Sequence, residues 1–135
     1  MQLLEFQAKE LFREYGINLL DSIASTNIKD GRKHARELGY PFVIKIQVPV
    51  GGRGKAGGIQ KCQNDDEFDI KYPQVMDLVI KGEKARAILL EKMADIKKEL
   101  YLGLVFDRSS ECIMVVASTE GGMSVEEISK KNQKV

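Results

Sequence analysis

The chain has 135 residues, of which 43% are hydrophobic and 30% charged, with a formal net charge of +1. These values suit a soluble globular protein and exclude collagen-like and low-complexity classes; the near-neutral charge removes any global electrostatic case for nucleic acid. Cys62 and Cys112 accompany a single histidine, His34, so neither a disulfide framework nor a zinc site is expected. Two free thiols and the absence of a signal peptide or membrane span point to a cytoplasmic protein.

Residues 3–15 read as an amphipathic helix, with Leu4, Ala8, Leu11, Phe12 and Tyr15 on one stripe and Gly16 as its C-cap. A second helix is expected from a Thr26 or Asn27 cap to Leu38, closed by Gly39 and then Pro41. The β-branched run over residues 42–48 forms a strand, residues 49–58 a loop, and residues 59–62 a short return strand. Residues 65–78 begin like a helix, but Pro73 argues against one continuous element. Residues 87–93 look like another strand. Further on, Leu100, Leu102, Leu104 and Phe106 alternate with their neighbours, a period of two that sets one apolar face against a core. A turn over residues 108–111 leads into residues 112–117, apolar on both faces and expected as a central strand. Ser124 and Glu127 form a capping-box pair that opens a last helix, and the Lys-rich residues 130–134 are expected to be disordered. The pattern is a mixed α/β chain without internal repeats.

Five of the twelve glycines fall within residues 51–58, Gly51-Gly52-Arg53-Gly54-Lys55-Ala56-Gly57-Gly58. Backbone N–H groups approach a ligand closely where no Cβ intervenes, and phosphate oxygens are the usual ligand of such a cradle. Between Leu38 and Asn64 there is no acidic residue, while Lys45, Arg53, Lys55 and Lys61 supply a local +4. Two readings stay open on these residues: a phosphate-binding loop, and a mobile surface hairpin tip solvated by its lysines. Gly52 to Gly57 spells G-x-G-x-x-G, but the residues that follow look extended where the dinucleotide-binding form needs a helix. The Walker A pattern fails because Pro49 occupies its first glycine position and Ala56 its Ser or Thr. A glycine loop between two strands is mechanically closer to a flap that covers phosphates, with Lys45 on the incoming strand as a mobile point charge.

The same residues carry a resemblance. Glu5-Phe6-Gln7-Ala8-Lys9 with Leu11-Phe12 and Tyr15-Gly16 resembles the opening of succinyl-CoA synthetase β subunits. Lys45-Ile46-Gln47-Val48 followed by Gly51 to Gly58 is similar to that family's nucleotide loop. Asp95-Ile96, Lys98 to Gly103, Asp107-Arg108 and Ser118 to Gly122 continue the match in order, so the resemblance covers essentially the whole chain. It implies an α/β (α+β) ATP-grasp-like fold, with residues 1–135 as the N-terminal part of the domain in two small lobes, incomplete at its C-terminal end and without the ligase domain. The resemblance also implies ATP as the nucleotide, with GTP as the alternative. Lys45 would contact phosphate oxygens, and Gly52, Arg53 and Gly54 would form the phosphate-covering loop. Glu91 and the backbone of Ala94 would face the adenine edge, and Glu99 would accept hydrogen bonds from the ribose. Read without the resemblance, Glu91 and Glu99 are solvated strand-end carboxylates, and His34 is a helix surface residue. Ser118 to Gly122 reads as a tight turn rather than part of the cleft.

The implied reaction is the succinate–CoA ligase step of the tricarboxylic acid cycle. It joins an acid to CoA through an acyl phosphate and a phosphohistidine on an α-subunit partner. No catalytic nucleophile or metal ligand is expected among these residues. Magnesium would be held by residues beyond Val135, so the isolated chain is expected to bind nucleotide weakly and turn nothing over. Pro49-Val50 replaces a common His-Ala pair, Ile17 to Leu20 lacks the usual prolines near the base, and residues 77–86 depart from the bacterial pattern. The last two departures leave ATP against GTP, and succinate against malate or another small acid, undecided. A non-catalytic interaction module and an ATP-grasp ligase of another branch are the competing classes.

Overall fold

The computed structural model describes residues 2–119. The chain divides into two compact units, Met1–Ala94 and Asp95–Val135.

The first unit is built on a four-stranded antiparallel sheet. It begins with α1 (Glu5–Glu14), which ends at a tight glycine turn. The Ile17 amide donates to the Phe12 carbonyl and the Gly16 amide to the Arg13 carbonyl, both at 3.0 Å. Gly16 there has φ +72°, a left-handed conformation open to glycine at little cost. No α1 residue is buried; Leu11, Phe12 and Tyr15 of the expected apolar stripe are exposed. β1 (Ser22–Ser25) follows, a strand that sequence patterning did not foresee because its four residues, Ser-Ile-Ala-Ser, are too short and too polar to signal one.

α2 (Ile28–Leu38) starts at Asn27, whose side chain accepts from the Asp30 amide at 2.9 Å, and closes at Gly39. β2 (Phe42–Gln47) and β3 (Ile59–Cys62) flank the glycine loop as expected. α3 (Asp65–Met76) runs without interruption through Pro73, contrary to the expectation of a break. Proline in a helix interior costs on the order of 3 kcal/mol. Here an Asn64 cap and the burial of Phe68, Tyr72 and Val75 on one face offset that cost. A two-residue turn with φ +51° at Lys81 and +85° at Gly82 then joins β4 (Val79–Ile80) to β5 (Glu83–Lys84), another short hairpin missed in the sequence. β6 (Ala87–Lys92) completes the unit.

The sheet order is β1-β6-β2-β3. Phe42 pairs with Lys92, Ile44 with Leu90 and Ile46 with Ile88, which sets Phe42, Ile44, Ile46, Ile88 and Leu90 on one face. With Phe68, Tyr72 and Val75 of α3 and Ala35 of α2 they form the core. The Phe42 ring stacks on Tyr40 at 4.8 Å and meets Phe68 edge-on at 6.0 Å. Cys62 is buried in this core, and its thiol is pushed up to about 11 by burial.

The second unit, over its described residues, is an antiparallel ribbon of β7 (Tyr101–Asp107) and β8 (Cys112–Ser118), paired from Tyr101↔Ser118 to Asp107↔Cys112. In the turn, the Asp107 carboxylate accepts from the Ser109 amide at 3.0 Å and the Ser110 hydroxyl at 2.5 Å. Two expectations need correction. Leu102, Leu104 and Phe106 do alternate, yet their side chains are exposed, and β8 pairs with β7 alone rather than lying centrally among the described strands. Alternation fixes which residues share a face; it does not supply a layer to cover that face. The expected helix at Ser124 and Glu127, most of Ser118 to Gly122 and the Lys-rich end lie outside the described residues.

Candidate functional site

The strand register that buries Phe42, Ile44 and Ile46 turns Val43, Lys45 and Gln47 to the opposite sheet face. Val43 pairs with Glu91 and Lys45 with Leu89, so Lys45 and Glu91 are diagonal neighbours on that face, a spacing that long side chains bridge. They do bridge it: the Lys45 ammonium donates to Glu91 Oε1.

α1 lies over the same face. The Phe6 amide donates to Gln47 Oε1 at 3.2 Å, and the fully buried Gln47 amide group donates to the Lys45 carbonyl at 3.2 Å. This contact seats the first turn of the helix above Lys45. Glu5 and Lys9, one helical turn apart, then reach the sheet from the same side of α1. Lys9 Nζ pairs with Glu91 Oε2, and Glu5 Oε1 accepts from Lys45 Nζ at 3.3 Å. Glu5 Oε2 accepts from Arg53 Nη1 at 2.7 Å, and the same guanidinium nitrogen donates to the Ile46 carbonyl at 3.3 Å. Glu91 is 5% exposed. The cluster thus joins three cations, Lys9, Lys45 and Arg53, to two carboxylates, Glu5 and Glu91, and carries one positive charge over.

The two ends of the cluster respond alike. Burial alone would raise the Glu5 pKa, but Lys45 and Arg53 outweigh it and hold the carboxyl below its ordinary value. Burial alone would lower the Lys45 pKa, but the hydrogen bond to Glu91 and the charge of Glu5 raise it. Both shifts favour the ionised forms of Glu5 and Lys45 at neutral pH. A buried charge needs a partner, so this network fixes Lys45 and Arg53 in place rather than adding much net stability.

Arg53 stands in the glycine loop between β2 and β3. The loop closes on itself: the Ala56 amide donates to the Gly52 carbonyl at 3.1 Å, and the Gly58 amide to the Arg53 carbonyl at 2.8 Å. The Ile46 amide donates to the Gly58 carbonyl at 2.7 Å and ties the loop back to β2. Gly58 is obligatory here, since a Cβ would lie 2.4 Å from Ile46 Cγ2 and 3.1 Å from the Arg53 carbonyl oxygen. Gly52 has φ +90° and opens onto free space, as does Gly51. The loop is therefore a short, internally bonded flap whose Gly51–Gly52 edge is backbone without side chains.

Of the residues singled out in the sequence, Lys45, Arg53 and Glu91 are brought into one cluster, with Gly52 and Gly54 on the flap beside Arg53. Ala94 follows β6 and is exposed; Glu99 belongs to the second unit and is exposed. Glu91 is not a solvated strand-end carboxylate, because both its oxygens face cations. Sequence reasoning missed Glu5 and Lys9. Their i, i+4 spacing on α1 was legible, but such a pair ordinarily bonds to itself on a helix surface. Only the seating of α1 on the sheet turns both toward β2 and β6. His34 is half-buried on α2 beside Glu37, away from the cluster's bonds. Among the described residues no group of three or more His, Cys, Asp or Glu could hold a metal ion.

Residues 2–135 match the ATP-grasp domain family. The chain is 38% identical over 138 residues to the succinate–CoA ligase [ADP-forming] subunit beta of Hydrogenobaculum sp., covering 97% of this chain and 36% of that protein. It is 41% identical over 132 residues to subunit beta 2 of the same ligase from Archaeoglobus fulgidus, covering 98% and 35%. The chain therefore spans about a third of the length of these curated relatives. Its fold is similar to a dinucleotide-forming acetyl-coenzyme A synthetase 1 of Ca. Korarchaeum cryptofilum, solved with coenzyme A, Ca-AMPCP and HgCl+. That match has a TM-score of 0.76 and 26% identity, and covers 86% of this chain and 52% of that one.

Proposed function

The chain belongs to the ATP-grasp domain family, and we propose that it is the nucleotide-recognition portion of a succinate–CoA ligase β subunit. In this reading residues 1–135 are the N-terminal part of the domain, in two small lobes. Lys45 meets the phosphates, and Gly52, Arg53 and Gly54 form the flap that covers them. Glu91 and the Ala94 backbone serve the adenine end, and Glu99 accepts from the ribose hydroxyls. The observation that carries the reading is the convergence of Lys45 of β2 and Arg53 of the glycine-rich flap on one carboxylate, Glu5, in a cluster left with one positive charge. Anions are drawn to such a site, and backbone amides at a glycine rim can approach them closely.

The chemistry assigned to these residues is electrostatic. Lys45 and Arg53 offset charge on a transferring phosphoryl group and hold it in place, and neither acts as a nucleophile. Magnesium would supply further charge neutralisation at the phosphates. The described residues offer it no cluster of ligands, so it would be held elsewhere in the ligase. The whole enzyme would join succinate, or a related small acid such as malate, to CoA at the expense of ATP or GTP. It would do so in the cytoplasm through an acyl phosphate and a phosphohistidine on an α-subunit partner. In support, the curated relatives carry the ADP-forming ligase name, and the acetyl-coenzyme A synthetase was solved with coenzyme A and Ca-AMPCP. No helix among the described residues is long and apolar enough to cross a membrane.

Calorimetric titration with ATP and with GTP tests the site. Lys45→Ala and Glu99→Ala should each lose about 1.5–3 kcal/mol of binding, roughly ten- to a hundredfold in affinity, as expected for one charge-assisted contact. The better-bound nucleotide identifies the base preference. Unchanged affinity in both variants contradicts the assignment.

A further inference from the structure

Glu5 satisfies two cations that the proposed function assigns to phosphate, and this sets a condition on binding. One carboxylate oxygen faces Lys45 Nζ at 3.3 Å and the other faces Arg53 Nη1 at 2.7 Å, on the sheet face covered by α1. Lys45 has a second carboxylate in Glu91 and keeps a partner if Glu5 lets go. Among the described residues Arg53 has Glu5 as its only carboxylate partner and otherwise reaches the Ile46 carbonyl at 3.3 Å. The weaker anchorage is therefore at Arg53, the residue that sits on the flap.

We propose that Glu5 is an internal counter-anion to Arg53, and that nucleotide phosphate binds by displacing it, so that α1 responds to nucleotide. The inference rests on the phosphate reading of the site and names a specificity device for it. An anion must outcompete a carboxylate already bonded to the guanidinium. A triphosphate, with several charged oxygens, does so more readily than a monoanion such as acetate or a single carboxylate of the acid substrate. Glu5 so acts as a positioning residue that discourages weak anions.

The test is ATP titration of the full chain in a double-mutant cycle. Glu5→Gln removes the competitor and should tighten ATP about three- to tenfold, on the order of one neutralised charge-assisted bond. In an Arg53→Ala background the same substitution should change affinity by less than about twofold, because only the longer 3.3 Å contact to Lys45, which keeps Glu91 as a partner, remains to be released. Glu10→Gln, an equal charge change on the exposed side of α1, serves as the control and should leave affinity unchanged. Equal or weaker ATP binding by Glu5→Gln, or tightening that persists without Arg53, overturns the proposal. Lys45→Ala separates the two levels. If it weakens ATP while Glu5→Gln does not tighten it, the phosphate site stands and the counter-anion role falls. If the wild-type chain binds no ATP, both fall. Hydrogen exchange of the wild-type chain needs no substitution: ATP should speed amide exchange over residues 5–9 as Glu5 loses Arg53. Unchanged or slowed exchange there overturns the displacement.

Discussion

On β2, the alternate residues Phe42, Ile44 and Ile46 are fully buried; on β7, the alternate residues Leu102, Leu104 and Phe106 are 74%, 72% and 62% exposed. Both strands carry the same period-two code, and the antiparallel register is regular in each. What differs is the third dimension. The sheet of the first unit has α2 and α3 on one face and α1 on the other, while the described part of the second unit is a ribbon of two strands. A two-stranded ribbon is marginal in water without a covering layer, whereas a four-stranded sheet with helices is independently stable. The five-charge cluster sits in the first unit, where the packed sheet and helices hold its members in place.

The comparison breaks first on core truncation. Phe42→Ala should cost about 3–5 kcal/mol in denaturant unfolding, as for a fully buried aromatic, and Leu104→Ala under about 1 kcal/mol. A Leu104→Ala cost equal to that of Phe42→Ala would mean that the ribbon's face is covered as well as the sheet's.

Glycine substitutions sharpen it. Gly58→Ala pushes a Cβ to 2.4 Å from the core residue Ile46 and onto backbone at Arg53. It should destabilise by about 1–3 kcal/mol, as overpacking does. Gly103→Ala also meets a close atom, Tyr101 Oη at 2.8 Å, but that is the far end of a half-buried, flexible side chain that can swing aside. Its effect on the melting temperature should be close to nil, and an equal loss in both variants would erase the contrast.

The smallest effect is in the pH dependence. Glu5 is held below its ordinary value of 4.5, so its ionised form stabilises the folded state above that pH. The stabilisation fades as acid takes the pH through the lowered folded value. Glu5→Gln should therefore be less stable than wild type at pH 7 by about 1–2 kcal/mol, and the gap should narrow as the pH falls from 4.5 through the lowered folded value. Asp107 is also held low, by hydrogen bonds from Ser110 and Ser109 on open surface rather than by cations. Asp107→Asn should show the same sign with a smaller gap. A pH-independent gap for Glu5→Gln would mean that Lys45 and Arg53 do not hold that carboxylate.

Much of the molecule could be read from local chemistry. Asn27 and Gly39 bound α2 because a side-chain acceptor and a left-handed glycine satisfy helix ends wherever they occur. The β2–loop–β3 hairpin followed from a β-branched run, a glycine cluster and a return strand. Lys45, Arg53 and the glycine loop stood out as candidates because acid-free, glycine-dense sequence around cations is itself a signal of anion binding. Pro73 misled, since its penalty is local while the burial of Phe68, Tyr72 and Val75 that offsets it is not. β1 and the β4–β5 hairpin were too short for any periodicity to register.

The sequence by itself determined the longer elements other than α3, the glycine-rich loop and the excess of positive charge around it, because each of these depends on residues close together along the chain. Tertiary structure decided the rest. It brought Glu5 and Lys9 of α1 across some 40 and 80 positions to Lys45, Arg53 and Glu91, and it made Glu91 a buried counter-ion. It also decided that one alternating strand is core and another is exposed. Long-range pairing and burial depend on which layer lies over a face, and no local pattern of side chains encodes its own cover.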